Sequence, residues 1–136
     1  MNGDGEMQLM TEGKAYVIVV DDDRAVRESL KFALELEGFA VHAFAGGPQL
    51  LASPLLAEPF CLVLDHKMPT MNGFDVLARL AERNVSVPVI LITSEATDGL
   101  RRRAAAAGVH KVLEKPLLGG ALARDLHDLV DGRKRT

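Results

Sequence analysis

Four apolar runs in this chain each stop at polar residues. Tyr16-Val17-Ile18-Val19-Val20 leads into Asp21-Asp22-Asp23, and Cys61-Leu62-Val63-Leu64 leads into Asp65. Val87-Pro88-Val89-Ile90-Leu91-Ile92 leads into Thr93-Ser94, and Val112-Leu113-Glu114 leads into Lys115-Pro116. Runs this short and this apolar, with helical patterns between them, read as buried parallel strands. Ligands of an open α/β sheet bind at the carboxyl ends of the strands, near the point where strand order reverses. One sheet edge would then gather acids, a hydroxyl and an ammonium.

The intervening segments carry helical periodicity. Val26, Leu30, Ala33 and Leu34 share one face of a helix over about 24–37, stopped by Gly38. A short strand over 40–44 follows. The second helix is weakly specified, because Pro48 suits a first turn but Pro54 and Pro59 interrupt what comes after. The third helix, about 73–83, turns Phe74, Leu77, Leu80 and Ala81 inward. The fourth, about 98–107, has a thin face of Leu100, Ala104 and Ala107, which marks it as loosely held. The last, about 120–130, carries Leu122, Leu126, Leu129 and Val130. Alternating strand and helix with right-handed crossovers predicts a flavodoxin-like, doubly wound α/β fold. It would have a five-stranded parallel sheet of order 2-1-3-4-5, flanked by five helices.

The domain is expected over 15–131, after a flexible tail at 1–14 and before a basic end or linker stub at 132–136. Its 136 residues suffice for one domain, with 48% hydrophobic content. A net charge of -3 exerts no general pull on nucleic acid or an anionic membrane. No apolar run approaches the roughly 18 residues of a membrane span, and no secretory signal opens the chain. A cytoplasmic location is the resulting expectation. The one cysteine, Cys61, lies in an apolar run and reads as a small buried hydrophobe.

Carboxylates at Asp21, Asp22 and Asp65 repel one another unless a cation joins them, and oxygen-only ligands at an open edge suit Mg²⁺ or another divalent ion. A carboxylate also serves as a nucleophile toward a phosphoryl group. The charge on the transferred group then calls for donors, which Lys115, the Thr93 hydroxyl and the Ser94 backbone N–H supply. Taken singly, Asp22 or Asp23 would as readily cap the first helix. The combination with Thr93 and Lys115 at matching strand ends favours the chemical reading.

Val-Val-Asp-Asp (19–22), Leu-Asp-His-Lys-Met-Pro-Thr-Met-Asn-Gly (64–73), Ile-Thr-Ser-Glu-Ala (92–96) and the Glu-Lys-Pro that ends at Pro116 occur in order. Over about 14–131 the chain resembles the response regulator receiver domains of two-component phosphorelays. The resemblance implies Asp65 as phosphoacceptor, and Asp21, Asp22, Asp65 and the Lys67 backbone carbonyl as Mg²⁺ ligands. It implies Thr93, Ser94 N–H and Lys115 as phosphate contacts, and a cis bond before Pro116. The implied partner is a sensor histidine kinase or phosphotransfer protein. The fourth-helix, fifth-strand, fifth-helix face becomes the switched surface and a candidate homodimer contact. Such a module is a switch that assists its own phosphorylation and dephosphorylation, not a turnover enzyme. It would touch neither nucleic acid nor membrane itself, and would act either alone or as part of a longer regulator.

Two positions depart from the family pattern: Leu117, where the residue after Lys-Pro is commonly Phe, and Val112. Receivers commonly carry an aromatic where this chain has Val112, and valine cannot sweep out the volume of the usual rotating ring. At the site rim, Lys67 and Glu95 each lie two residues beyond a key strand end, where their opposite charges either pair over the site and slow hydrolysis or both stay in solvent. His66, beside Asp65, reads as a packing residue on an alternating strand end. Arg101-Arg102-Arg103 reads as a solvated face, or as a contact for an acidic partner.

Three rival readings fit less well. A haloacid-dehalogenase-type phosphatase wants a second acid two residues after its nucleophile, where Lys67 stands. A flavin binder wants a neutral phosphate loop, not three aspartates. An interaction module that is never phosphorylated has no need of the full acid, hydroxyl and lysine set.

Overall fold

A computed structural model describes residues 16–117 and 120–135. The tail expected at 1–14 lies outside them. Five strands, β1 (Tyr16–Val20), β2 (Ala40–Phe44), β3 (Cys61–Asp65), β4 (Val89–Thr93) and β5 (Lys111–Glu114), form one parallel sheet in the order β2-β1-β3-β4-β5. The helices are α1 (Arg24–Leu36), α2 (Gly47–Leu51), α3 (Gly73–Glu82), α4 (Asp98–Ala106) and α5 (Ala121–Arg135). The expected fold class and strand order are the ones observed.

Strand alternation divides the core into two layers. Ile18, Val20, Leu62, Leu64 and Leu91 face Phe74, Val76, Leu80 and Ala104 on one side. Val17, Val19, Val63, Ile90 and Ile92 face Leu34, Leu122 and Leu126 on the other. β3 is buried along its whole length, whereas β5, at the sheet edge, is only half-buried at Val112 and Leu113. Pro88 precedes β4 rather than opening it, and its carbonyl accepts from the Leu62 N–H.

Several helix faces differ from their periodicity. Ala33 and Ala81 face solvent, while Val76 is wholly buried, because apolar character alone does not set the centre of the buried stripe. The stretch after β2 breaks into the five-residue α2 and a 3-10 turn at Pro54–Ala57, as its prolines require. The backbone of α5 runs on to Arg135, past the expected stop near Val130. Arginine and lysine, which occupy 133–135, are good helix formers. Gly38 (φ 98°) and Gly108 (φ 86°) terminate α1 and α4 in the left-handed region, as expected of helix stops.

Helix α4 is thinly anchored. Ala104 is its only buried residue, Leu100 is half-buried, and Ala107 is exposed. Its remaining hold on the domain is polar and aromatic. The Arg103 guanidinium lies 4.2 Å from the centroid of the Phe74 ring, and the His66 ring meets Phe74 edge-on at 4.8 Å.

Candidate functional site

Sheet register brings the polar strand ends to one level. Val20 pairs with Leu64, Asp65 with Ile92 and Thr93 with Glu114, so the residues at or just after these pairs share one edge. Oxygens of Asp21, Asp22 and Asp65 all lie within 4.8 Å of one another. Lys115 Nζ sits 3.3 Å from Asp65 Oδ1 and 3.7 Å from Asp21 Oδ2. Asp21, Asp65 and Thr93 are the buried polar side chains among the described residues, with Asp65 only 5% exposed. The bond between Lys115 and Pro116 is cis, as the resemblance implies.

Burial pushes the Asp65 carboxyl up, the Asp21 charge adds to this, and Lys115 works against it; its pKa lies at about 6. Burial opposes the Lys115 charge, but the Asp65 and Asp21 carboxylates outweigh it and hold that ammonium above its ordinary pKa. Asp21 Oδ2 is buried and accepts no hydrogen bond. A buried carboxylate oxygen with no hydrogen bond and only the Lys115 ammonium at 3.7 Å, within an all-oxygen donor set, fits a hard divalent metal ion.

The third aspartate is not part of this cluster. Asp23 caps α1, accepting from the Val26 N–H at 3.2 Å, and donates its own N–H to Asp21 Oδ1 at 2.9 Å. The Thr93 hydroxyl is turned onto its own loop, donating to the Glu95 carbonyl and accepting from the Glu95 N–H, both at 3.3 Å. Ser94 is exposed at the same edge. The loop after β3 closes where the Gly73 N–H donates to the His66 carbonyl at 2.8 Å. Asn72 and Asp75 form a capping box at the start of α3.

The rim pair does not form: among the described residues Lys67 and Glu95 are both exposed and share no ion pair. Two long side chains in water gain too little from one contact to hold it. Val112 is half-buried against the core layer that contains Phe74 and Ala104. His66 packs edge-on against Phe74. Burial, with Arg103 and Lys67 adding to it, lowers its pKa.

One site residue escapes sequence reasoning. Arg27, on α1, donates from Nη1 to the backbone carbonyl of Asp21 at 2.8 Å. Its only sequence signal is its place one turn into the helix that follows the acids.

The response regulator receiver domain family matches residues 17–127. Nodulation protein W of Bradyrhizobium diazoefficiens is 36% identical over 76% of this chain and 45% of its own length. Response regulator MprA of Mycobacterium avium is 37% identical over 74% of the chain and 44% of its own length, so the chain spans less than half of either relative. Among solved structures, a response regulator receiver protein from Burkholderia phymatum is 34% identical with a TM-score of 0.73, covering 86% of this chain and 95% of that one. A CheY-like receiver domain protein from Methanospirillum hungatei is 25% identical with a TM-score of 0.79, covering 89% and 97%. Among the described residues no helix is long and apolar enough to cross a membrane. A match across most of the sequence, on a fold shared with solved receivers, makes this chain a member of the response regulator receiver domain family, a family of signalling modules and not of conventional enzymes.

Proposed function

We propose that this chain is a phospho-accepting switch with Asp65 as acceptor. The observation that carries this reading is the setting of Asp65, a nearly buried carboxylate with an ammonium at 3.3 Å and two further carboxylates beside it. The donor is a phosphohistidine on a sensor histidine kinase or a phosphotransfer protein. An Asp65 carboxylate oxygen attacks phosphorus, the new O–P bond forms as the N–P bond breaks, and the imidazole nitrogen keeps the electron pair and takes a proton from water.

Lys115 lies where it would meet a phosphoryl oxygen, and the Ser94 N–H is a second donor. The Thr93 hydroxyl becomes a third when it gives up the Glu95 carbonyl. Asp21, Asp22, Asp65 and the Lys67 carbonyl would hold Mg²⁺ or another divalent ion. Bound there, the ion would supply positive charge facing the phosphoryl oxygens and relieve repulsion among the acids. An apolar groove of about 540 Å³, lined by Ala25, Val26, Leu30, Pro116 and Leu117, flanks Lys115 and offers the donor protein a seat.

Phosphorylation adds roughly -1.5 to -2 charge at Asp65. Drawing Thr93 and Lys115 toward that charge pulls on the ends of β4 and β5, and α4 is the helix least able to resist. The α4, β5 and α5 surface is the proposed output, toward a partner protein or a second copy, in the cytoplasm. With valine at 112, this output runs without a rotating aromatic.

Intact mass after incubation with Mg²⁺ and acetyl phosphate tests the reading. A phosphoryl adduct on the native chain and none on Asp65→Asn is the expected result. No adduct on the folded native chain at saturating Mg²⁺ would leave a phosphorylation-independent interaction module.

A further inference from the structure

Asp21 has four polar groups, and three are already engaged. Its N–H donates to the Phe44 carbonyl at 3.2 Å, its carbonyl accepts from Arg27 at 2.8 Å, and Oδ1 accepts from the Asp23 N–H at 2.9 Å. Oδ2 alone is without a hydrogen bond. The residue is therefore pinned to β2, to α1 and to its own turn, with one buried oxygen that makes no hydrogen bond and faces only the Lys115 ammonium at 3.7 Å.

The role of Arg27 in this arrangement is unusual for a cation beside acids. Its guanidinium makes no ion pair with any carboxylate among the described residues, and bonds to a backbone carbonyl instead. Lys115, by contrast, contacts the carboxylates directly, at 3.3 and 3.7 Å. The two cations thus divide. Lys115 contacts the carboxylates of Asp21 and Asp65, whereas Arg27 holds the backbone of Asp21 and makes no ion pair with them.

We infer that Arg27 is a positioning residue for the cation site, fixing the turn after β1 so that Asp21 and Asp22 present their carboxylates before a divalent ion arrives. This rests on the reading that the three acids hold such an ion. A guanidinium near the acids has a simpler role available, that of a background positive charge. The two roles predict opposite signs. A background charge repels an incoming cation, so its removal tightens metal binding. A brace spares the site the cost of ordering its ligands at the moment of binding, so its removal weakens metal binding.

Calorimetric titration with MgCl₂ of the native chain, Arg27→Met and Arg27→Lys reads this sign directly. The expected result is saturable binding by the native chain and about tenfold weaker binding by Arg27→Met, the scale of loss typical of residues that orient metal ligands. Arg27→Lys, which keeps the charge but not the planar fork, is expected to bind more weakly as well. It decides the matter alone if Arg27→Met fails to fold. The Asp23 amide proton, bonded to Asp21 Oδ1, should shift in the variant's metal-free NMR spectrum, a change that a general loss of stability would not produce. Equal or tighter Mg²⁺ binding in the variants overturns the positioning role and leaves the cation site standing. A native chain with no saturable Mg²⁺ binding overturns both.

Discussion

The Lys115 ammonium lies 3.3 Å from Oδ1 of Asp65, so the buried carboxylate has an ion-pair partner even without metal. The partner does not fully offset the setting. Burial and the Asp21 charge still raise the Asp65 pKa from 3.8 to about 6.

The sign of the resulting pH dependence follows from linkage. Between pH 3.8 and about 6 the folded chain keeps a proton on Asp65 that the unfolded chain releases, so stability falls as pH rises through that window. Above it the deficit is constant. In EDTA at pH 8, Asp65→Asn should be more stable than the native chain to urea by about 1–2 kcal/mol, part of the full shift being returned by the weakened Lys115 contact. Near pH 4 the two should converge. A native chain that gains stability from pH 4 to 7 relative to Asp65→Asn would contradict this account.

Helix α4 offers a second expectation. With Ala104 its only buried residue, the contact of Arg103 with the Phe74 ring at 4.2 Å is a large share of its attachment. Arg103→Ala should weaken local protection of the α4 amides by about 1 kcal/mol in native-state hydrogen exchange, with β3 and β1 unchanged. Uniform loss across the sheet would instead mean that the contact supports the whole fold.

Lys67 and Glu95 provide a third. Since no ion pair joins them over the site, Lys67→Ala should keep the half-life of phosphorylated Asp65 within about twofold of native, the scale of an exposed charge contact. The hydrolysis rate, followed by mass spectrometry after removal of acetyl phosphate, measures it. A severalfold faster loss would mean that the pair assembles once the phosphoryl group is present.

Legibility in the sequence tracked local causes. β1, β3 and β4 are five-residue apolar strands with polar ends, and their register follows from the burial of both faces, so Asp21, Asp65 and Thr93 could be placed together from the chain alone. The α2 region was obscure because its prolines divide it between two short helical turns whose burial comes from elsewhere. Ala33, Ala81 and Val76 went to unexpected faces because small and β-branched residues define a stripe weakly. The rim contact, the engagement of Thr93 by Glu95 and the bond from Arg27 to Asp21 depend on side-chain geometry that spacing does not encode. Arg27 in particular looks like any surface arginine of an amphipathic helix.

The eight residues from His66 to Gly73 form a loop tied at its neck by the 2.8 Å bond between its two ends. A side chain at position 73 would meet the end of Leu91 at 2.8 Å and crowd the His66 backbone at 3.2 Å, so any larger residue there forces the neck to shift. Lys67, whose carbonyl is the proposed ligand, lies just inside that knot, whereas Pro69 and Thr70 lie on its exposed outer arc. The loop therefore separates a neck fixed by backbone bonding from an exposed tip at Pro69 and Thr70, with Met68 and Met71 packed on the core between them. Substitutions at the exposed Pro69 and Thr70 leave the neck bond untouched, whereas one at Gly73 acts on it directly.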